Sequence, residues 1–164
     1  MAQRQPKSLI ISQARKSRQN RVHGPQATCA DCGETDTCVL VTRSRPKRCE
    51  TCYRKAKGVV AFDDHHPAGR ANSALTVKID ASGHRKLTDM QNDWEVDTLR
   101  NASGDPLRTA AAKLRGFKET MTVTLESFVG WIIQLLEALS EWLTNERGPH
   151  WWAETPLDRF AVCQ

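Results

Sequence analysis

The sequence CADCG at residues 29–33 is followed by CETC at residues 49–52, so two Cys-x-x-Cys pairs lie sixteen residues apart. This spacing is typical of a structural zinc site, in which four thiolates complete a tetrahedral shell and leave no position open for a substrate. A thioredoxin-like redox motif would instead have one pair in a βαβ setting. The sequence therefore predicts a structural Zn²⁺ ion. Its predicted ligands are Cys29, Cys32, Cys49 and Cys52.

The residues around the two pairs have the order of a small zinc-binding fold, named here the zinc module (residues 28–58). Residues 37–42 are β-prone and predict a strand, and the basic residues 43–48 predict a turn. Residues 53–57 predict a short helix that ends at Gly58. Treble-clef and zinc-ribbon folds have this order, and so small a unit folds only with its metal.

Two more strands and a helix are predicted downstream of the zinc module. Residues 59–62 are apolar and β-branched, which predicts a strand that ends just before two acids and two histidines. A loop over residues 67–73 precedes a second strand at 74–79, where apolar and polar residues alternate. A helix then begins at His84. The predicted fold class is α+β, a zinc-stapled ββα module followed by a mainly helical C-terminal part.

The sequence DDHHPAGR at residues 63–70, followed by Asn72 and His84, resembles the motif of HNH, or ββα-metal, nucleases. The two cysteine pairs resemble the zinc knuckles that staple many HNH domains. This resemblance covers roughly residues 29–94, less than half of the chain. It implies metal-dependent hydrolysis of nucleic-acid phosphodiesters, by nicking or cutting DNA, with Mg²⁺, Mn²⁺ or Zn²⁺ as the catalytic metal.

The resemblance also implies roles for individual residues. His65 or Asp64 would be a metal ligand, His66 the general base and His84 the ligand on the helix. The middle Asn of the family would be Asn72, although Asp80 lies closer to the expected place. A further ligand often follows the last His by one helical turn, and here Thr88 stands at that position with Asp89 beside it. The candidate catalytic residues are His65, His66, His84 and Asn72, and the candidate ligands of the catalytic metal are Asp64, His65, His84, Asp80 and Asp89.

The residues leave other interpretations of this stretch open. The histidine pair could be a hydrogen-bonded surface pair, or part of a second zinc site with His84 and an aspartate. The chain could also be a family member with an eroded active site that keeps its DNA-binding shape. The alternative function is therefore a non-catalytic zinc-ribbon protein that binds nucleic acid as an adaptor.

Basic residues are concentrated around the zinc module. Residues 1–57 hold thirteen Lys or Arg against four acids, a net charge of +9. The remaining residues have a net charge of −4, and the two parts together give the total of +5. A polyanion is the natural partner of such a surface, because neutralising phosphates releases counterions. The predicted partner is nucleic acid, with DNA favoured; a solvated basic tail is the alternative. The candidate contacts are Arg15, Lys16, Arg18, Arg21, Arg43, Arg45, Lys47, Arg48, Arg54, Lys55 and Arg70.

The predicted organisation has four parts. A flexible basic arm spans residues 1–27, the zinc and HNH-like module 28–95, a polar connector 96–104 and a helical region 105–164. Only 39% of the residues are hydrophobic, which argues against one large core. The first residues lack an apolar run long enough for a signal peptide, so the thiols are expected to be reduced and the protein cytoplasmic.

The C-terminal region predicts one long helix, with Asp105 as N-cap, Pro106 in the first turn and Gly148 at the end. Apolar residues recur with alternating spacings of four and three, interrupted only at Lys118. Such a heptad seam predicts helix pairing, either within the chain, in a homo-oligomer or with a protein partner. Glycines in the helix could instead break it into two or three packed helices. The seam residues are Leu107, Ala111, Leu114, Met121, Leu125, Phe128, Ile132, Leu135, Leu139 and Trp142.

The most apolar part of this region, residues 127–143, raises the question of a membrane span. It has only seventeen residues, and Gln134, Glu137 and Glu141 lie on one stripe of the helix. A buried amphipathic helix is therefore favoured, and no membrane span is predicted.

Overall fold

The computed structural model describes residues 7–24 and 26–160, and it has the predicted mixed α+β class. A short hairpin, a helix and a four-cysteine cluster precede a C-terminal helix of 42 residues. The chain divides into a first unit, Met1–Thr124, and a second unit, Leu125–Gln164.

The first unit begins with helix α1 (Lys7–His23), in a stretch where the sequence predicted a flexible arm. Residues 1–6 and 25 of that arm lie outside the described residues. The Arg15 guanidinium donates to the carboxylates of Asp89 and Asp93, at 3.2 and 2.8 Å, and Ser12 donates to Asp93 at 3.1 Å. These contacts hold α1 against acids more than seventy residues away, which local composition could not reveal.

The zinc module contains no extended strand at residues 37–42, so that prediction was wrong. Turns occupy this stretch, and one isolated bridge joins Leu40 to Cys49. The reason lies at Asp36, whose carboxylate accepts the Cys38 N–H at 3.0 Å while its carbonyl accepts the Val39 N–H at 3.2 Å. This Asx-type turn satisfies backbone groups that a strand would need.

Helix α2 (Glu50–Ala56) follows the second cysteine pair and starts three residues before the predicted helix. Its N-cap is Cys49, whose sulfur accepts the Cys52 N–H at 3.5 Å. The backbone leaves the helix through Gly58 at φ +66°, a left-handed conformation that glycine adopts without strain. The predicted end of the helix is therefore confirmed.

Strands β1 (Phe62–His65) and β2 (Val77–Asp80) pair antiparallel. Each starts three residues later than predicted, so β1 runs through the acids instead of ending before them. Helix α3 (Ala81–Gln91) follows β2 directly, and the Asp80 side chain caps it by accepting the Gly83 N–H at 3.3 Å. The strand, strand, helix order was predicted from the sequence.

A short helix, α4 (Val96–Arg100), lies within the predicted connector, next to the buried Trp94. The indole N–H of Trp94 donates to the Glu119 carboxylate at 3.0 Å. Helix α5 (Pro106–Arg147) then begins and ends as predicted. The Asp105 carboxylate accepts the N–H of Leu107 at 2.8 Å. Gly148, at φ +90°, follows the last turn.

Close packing in the first unit places α5 against the loop after β1. Ala112, Gly116 and Val123 are buried. A Cβ atom on Gly116 would overlap the backbone carbonyl of Pro67. The helix is not interrupted at Gly116 or at Gly130. Ala112 also joins Ala68 and Trp94 in a small core next to Leu99.

In its described residues, 125–160, the second unit contains the last part of α5, a turn and a 3₁₀ helix, Asp158–Phe160. By length and composition alone, α5 is apolar enough to cross a bilayer, and it is the one such helix in the described part of the chain. The sequence predicted a buried amphipathic helix here, but only 6% of the apolar stretch is buried within the described chain, so that prediction was wrong. The prediction of no membrane span stays a prediction.

Candidate metal centres

The four predicted cysteines come together in the zinc module. Their sulfur atoms all lie within 4.8 Å of one another. The Sγ atoms of Cys32 and Cys49 are 3.7 Å apart. A tetrahedron with Zn–S bonds of about 2.3 Å has edges of about 3.8 Å, so the cluster fits a structural Zn²⁺ ion. Among the described residues, no other group of three or more His, Cys, Asp or Glu is so arranged.

The protein environment favours ionisation of one thiol in this cluster and opposes it at another. Burial disfavours the Cys29 thiolate, but backbone N–H groups of Cys49, Asp31 and Cys32 outweigh it and lower the pKa of Cys29 to about 7. Burial raises the pKa of Cys32 to about 11, and the neighbouring thiols contribute to this rise. Four thiolates this close repel one another, so full ionisation requires a cation between them.

Two histidines face each other between β1 and α3. The His65 side chain is only 3% exposed, and its ring centroid lies 5.3 Å from that of His84, with the rings nearly perpendicular. Asp63 lies on the same face of β1 as His65, because alternate residues of a strand share a face. Its Oδ2 is 3.6 Å from Nδ1 of His84. The hairpin and the helix thus place two imidazoles and a carboxylate together, named here the histidine pocket (Asp63, His65 and His84).

His65 is held as a neutral imidazole at neutral pH. Burial lowers its pKa to about 4, and the nearby His84 and His66 contribute. Nε2 of His65 lies 3.4 Å from the Gln91 amide nitrogen, which donates to the carbonyls of His66 and Pro67 at 2.7 and 2.9 Å. A neutral imidazole is the form that binds metal ions.

Helix α2 connects the histidine pocket to the zinc module through charged groups. Arg54 donates to Asp63 at 2.7 Å and to Glu50 at 2.8 Å. The hydrogen bond from Arg54 lowers the pKa of Asp63 and keeps it ionised. Glu50 also pairs with Arg85, which follows His84 on α3, at 2.8 Å.

A second connection runs through hydroxyl groups. Thr51, in the second cysteine pair, donates to the Asp80 carboxylate at 2.6 Å. It also accepts the backbone N–H of Ser82 at 2.9 Å. The first turn of α3, which carries His84, is therefore fixed from the zinc module.

Asp64 and His66, the two neighbours of His65, have different surroundings from it. Asp64 points to the other face of β1, where its side chain is 63% exposed and lies 3.8 Å from Lys78. His66 follows the strand and is partly buried, and its Nδ1 is buried without a hydrogen-bond partner among the described residues. The structure therefore does not bring Asp64 to His84.

The other predicted site residues lie in structural networks. The buried Asn72 amide donates to the carbonyls of Ala68 and Thr98, at 3.1 and 2.9 Å. Asp80 caps α3, and Asp89 pairs with Arg15. None of these three forms a hydrogen bond or ion pair with the histidine pocket within the described chain, and each has partners that account for its position.

Sequence reasoning missed Asp63 as a member of the pocket. The available signal was its position two residues before His65, which places both on one face if the strand extends that far. The strand was predicted to end before Asp63, so the alternation was not applied to it. Arg54 was assigned only to a basic surface, because its partners on β1 could not be identified from composition.

The predicted nucleic-acid contacts fall into three groups. Arg15, Arg48 and Arg54 are held in ion pairs with acids of the chain. Arg45 donates to the carbonyl of Ser44, and Lys47 donates to the carbonyl of Thr42. The remaining six are exposed and have no ion pair within residues 7–24 and 26–160; these are Lys16, Arg18, Arg21, Arg43, Lys55 and Arg70. No acid of the described chain neutralises these six predicted contacts.

No family model, no curated protein and no solved structure matches this chain. The chain is therefore assigned to no family, and its resemblance to HNH nucleases stays a prediction that rests on its own residues.

Proposed function

We propose that this protein hydrolyses phosphodiester bonds of nucleic acid, with a divalent cation held at the histidine pocket. The observation that supports the proposal is the pairing of His65 and His84 across a hairpin and the helix that follows it. Two imidazoles and the carboxylate of Asp63 form a donor set suited to Zn²⁺, and the carboxylate is also a ligand that Mn²⁺ and Mg²⁺ prefer. The six exposed cations would attract the phosphates of DNA.

Each pocket residue has a chemical role in this proposal. His65 and His84 bind the cation, and Asp63 orients the His84 ring or completes the ligand set. The cation would stabilise the negative charge that develops on the attacked phosphate. His66 follows His65 directly, and its Nδ1 has no hydrogen-bond partner within the described chain, so we assign it the role of the general base that accepts the proton of the attacking water.

Plasmid cleavage with Mg²⁺ or Mn²⁺ tests this proposal. His66→Ala is expected to lower the cleavage rate by roughly 10²–10⁴-fold, the usual contribution of a general base. His150→Ala, in the second unit, is the matched control and is expected to leave the rate unchanged. Absence of cleavage by the wild-type protein, or equal cleavage by wild type and His66→Ala, would remove the proposal.

A non-catalytic, nucleic-acid-binding zinc protein is the second candidate. It is favoured by Thr88, which stands one turn after His84 where a further ligand would be expected, and whose hydroxyl donates to the His84 carbonyl at 2.8 Å. This candidate predicts salt-dependent DNA binding without cleavage. It also predicts that binding is indifferent to His66→Ala, so the same two variants separate the two functions.

Asp63→Asn is expected to weaken Mn²⁺ binding at the histidine pocket by about 10- to 100-fold, because groups that orient a metal ligand usually contribute that much. Asp64→Asn is the matched control, since the adjacent carboxylate points away from the pocket. Titration with Mn²⁺, followed by electron paramagnetic resonance, measures both affinities. Equal affinities for the two variants would contradict the assignment of Asp63 to the pocket.

A further inference from the structure

Helix α5 has two different faces in the first unit. With the seam residues at heptad positions a and d, the buried Ala112, Gly116 and Val123 fall at b and f, on the opposite side. The side of α5 that packs within the first unit therefore carries positions b and f and lies opposite the seam. The seam residues Leu107, Leu114 and Met121 are exposed.

The second unit continues the pattern with a wider apolar face. Over residues 125–143, every a, d, e and g position is apolar, and the b, c and f positions are polar or glycine except at Ile133. The seam residues Leu125, Phe128, Leu135, Leu139 and Trp142 are each 46–56% exposed. An apolar stripe of this width is typical of a helix that packs against other helices.

The polar face of this segment argues against lipid as the occupant. Glu137 and Glu141 lie within the apolar segment, and an acidic side chain at the centre of a bilayer costs roughly 2.5–3.5 kcal/mol. Shallow binding to an anionic membrane is also disfavoured, because the polar face is acidic rather than basic.

The distribution of charge along α5 indicates which partner binds the seam. Residues 106–124 hold four basic residues and one acid, a net +3, whereas residues 125–147 hold four acids and one basic residue, a net −3. Two copies of the helix placed antiparallel bring each basic half against an acidic half. A parallel arrangement would place like charges together.

We propose that α5 pairs antiparallel with α5 of a second copy of this chain, through the exposed heptad seam. About a dozen large apolar side chains, each about half exposed, offer on the order of 1,000 Å² per helix, which exceeds the roughly 800 Å² per partner of a standard interface. Because the seam lies opposite the buried face of α5 in the first unit, each copy can use it without disturbing that packing. The pairing is independent of the proposed nuclease activity.

Sedimentation equilibrium of the full chain in detergent-free buffer tests the pairing. The wild-type protein is expected to have about twice the mass of one 18.4 kDa chain. Leu135→Glu places a carboxylate in the seam and is expected to weaken self-association at least about 100-fold. Ile133→Glu is the matched control, because Ile133 and Leu135 are both 49% exposed but only Leu135 lies on the seam. It is expected to leave the mass unchanged.

Two results would overturn the pairing. One is a monomeric wild-type protein at all concentrations, which would point to a different protein as the partner. The other is flotation of the wild-type chain with phosphatidylcholine vesicles that both glutamate variants abolish, which would identify lipid as the occupant.

The orientation of the pair has its own test. Lys113→Glu combined with Lys118→Glu changes the charge of residues 106–124 from +3 to −1. In an antiparallel pair, this double variant is expected to weaken association about tenfold at low salt. Tighter association would overturn the antiparallel arrangement, because relief of like-charge repulsion is expected only for parallel helices.

Discussion

Replacing Cys49 with Ser is expected to unfold the zinc module and abolish zinc binding. Cys49 is buried, its sulfur caps α2, and it packs with Val39 and Leu40 in the small core of the module. Structural zinc sites contribute roughly 10–16 kcal/mol of apparent binding free energy, far more than so small a core supplies. Elemental analysis should show zinc falling from one ion per chain to almost none, with loss of the thermal unfolding transition of the first unit.

Cys38→Ser is the matched control for this experiment. Cys38 packs against the same core, but its sulfur does not belong to the four-cysteine cluster. Burial raises its pKa, so it is a neutral thiol at physiological pH. The Cys38→Ser variant is expected to keep one zinc per chain. Equal zinc loss in the two variants would show that general destabilisation, rather than ligand removal, releases the metal.

Replacing Gly116 with Ala is expected to destabilise the first unit by at least about 3 kcal/mol, because overpacking a rigid contact forces the backbone to move. The new methyl group would overlap the carbonyl of Pro67, and a Cβ there would also lie 3.0 Å from the Ala68 nitrogen. No flexible side chain can move aside, since all of these atoms belong to the backbone. Denaturant unfolding followed by tryptophan fluorescence would report the change, because the buried Trp94 lies in the adjacent core.

Gly130→Ala, in the same helix, is expected not to lower the stability of the protein. Apart from the adjacent residues and the backbone of its own helix, no atom lies within 4 Å of a Cβ placed there. Alanine is favoured over glycine in a helix interior by about 0.5–1 kcal/mol, so this variant should be as stable as the wild type or slightly more so. If Gly116→Ala were equally harmless, α5 could not pack against the loop at Pro67 as described.

The features predicted correctly from the sequence are those set by local chemistry. Spacing alone identified the four cysteines, because a tetrahedral thiolate site requires two tight pairs. Asp105 and Gly148 marked the ends of α5, because capping is decided within one helical turn. The two strands and α3 were also placed in the right order, although their boundaries moved by three residues.

The features that sequence analysis missed depend on distant partners. Arg15 orders α1 through acids on and just after α3, and Arg54 holds Asp63 within β1. Neither pairing leaves a periodic signal, since a single charge carries no information about its partner. The turn at Asp36 is a different case. The Asp36 carboxylate accepts a backbone N–H that would otherwise pair within the strand favoured by β-propensity alone.

The bonds from α2 to β1 and α3 link the shape of the histidine pocket to the four-cysteine cluster. Thr51 and Arg54 lie beside the cysteines, and they hold Asp80 at the start of α3 and Asp63 on β1, the two elements that carry His84 and His65. Under the proposed function, a chain starved of zinc would therefore lose the arrangement of Asp63, His65 and His84 even when magnesium or manganese is plentiful. Supply of one scarce ion would then govern whether an abundant one can be used.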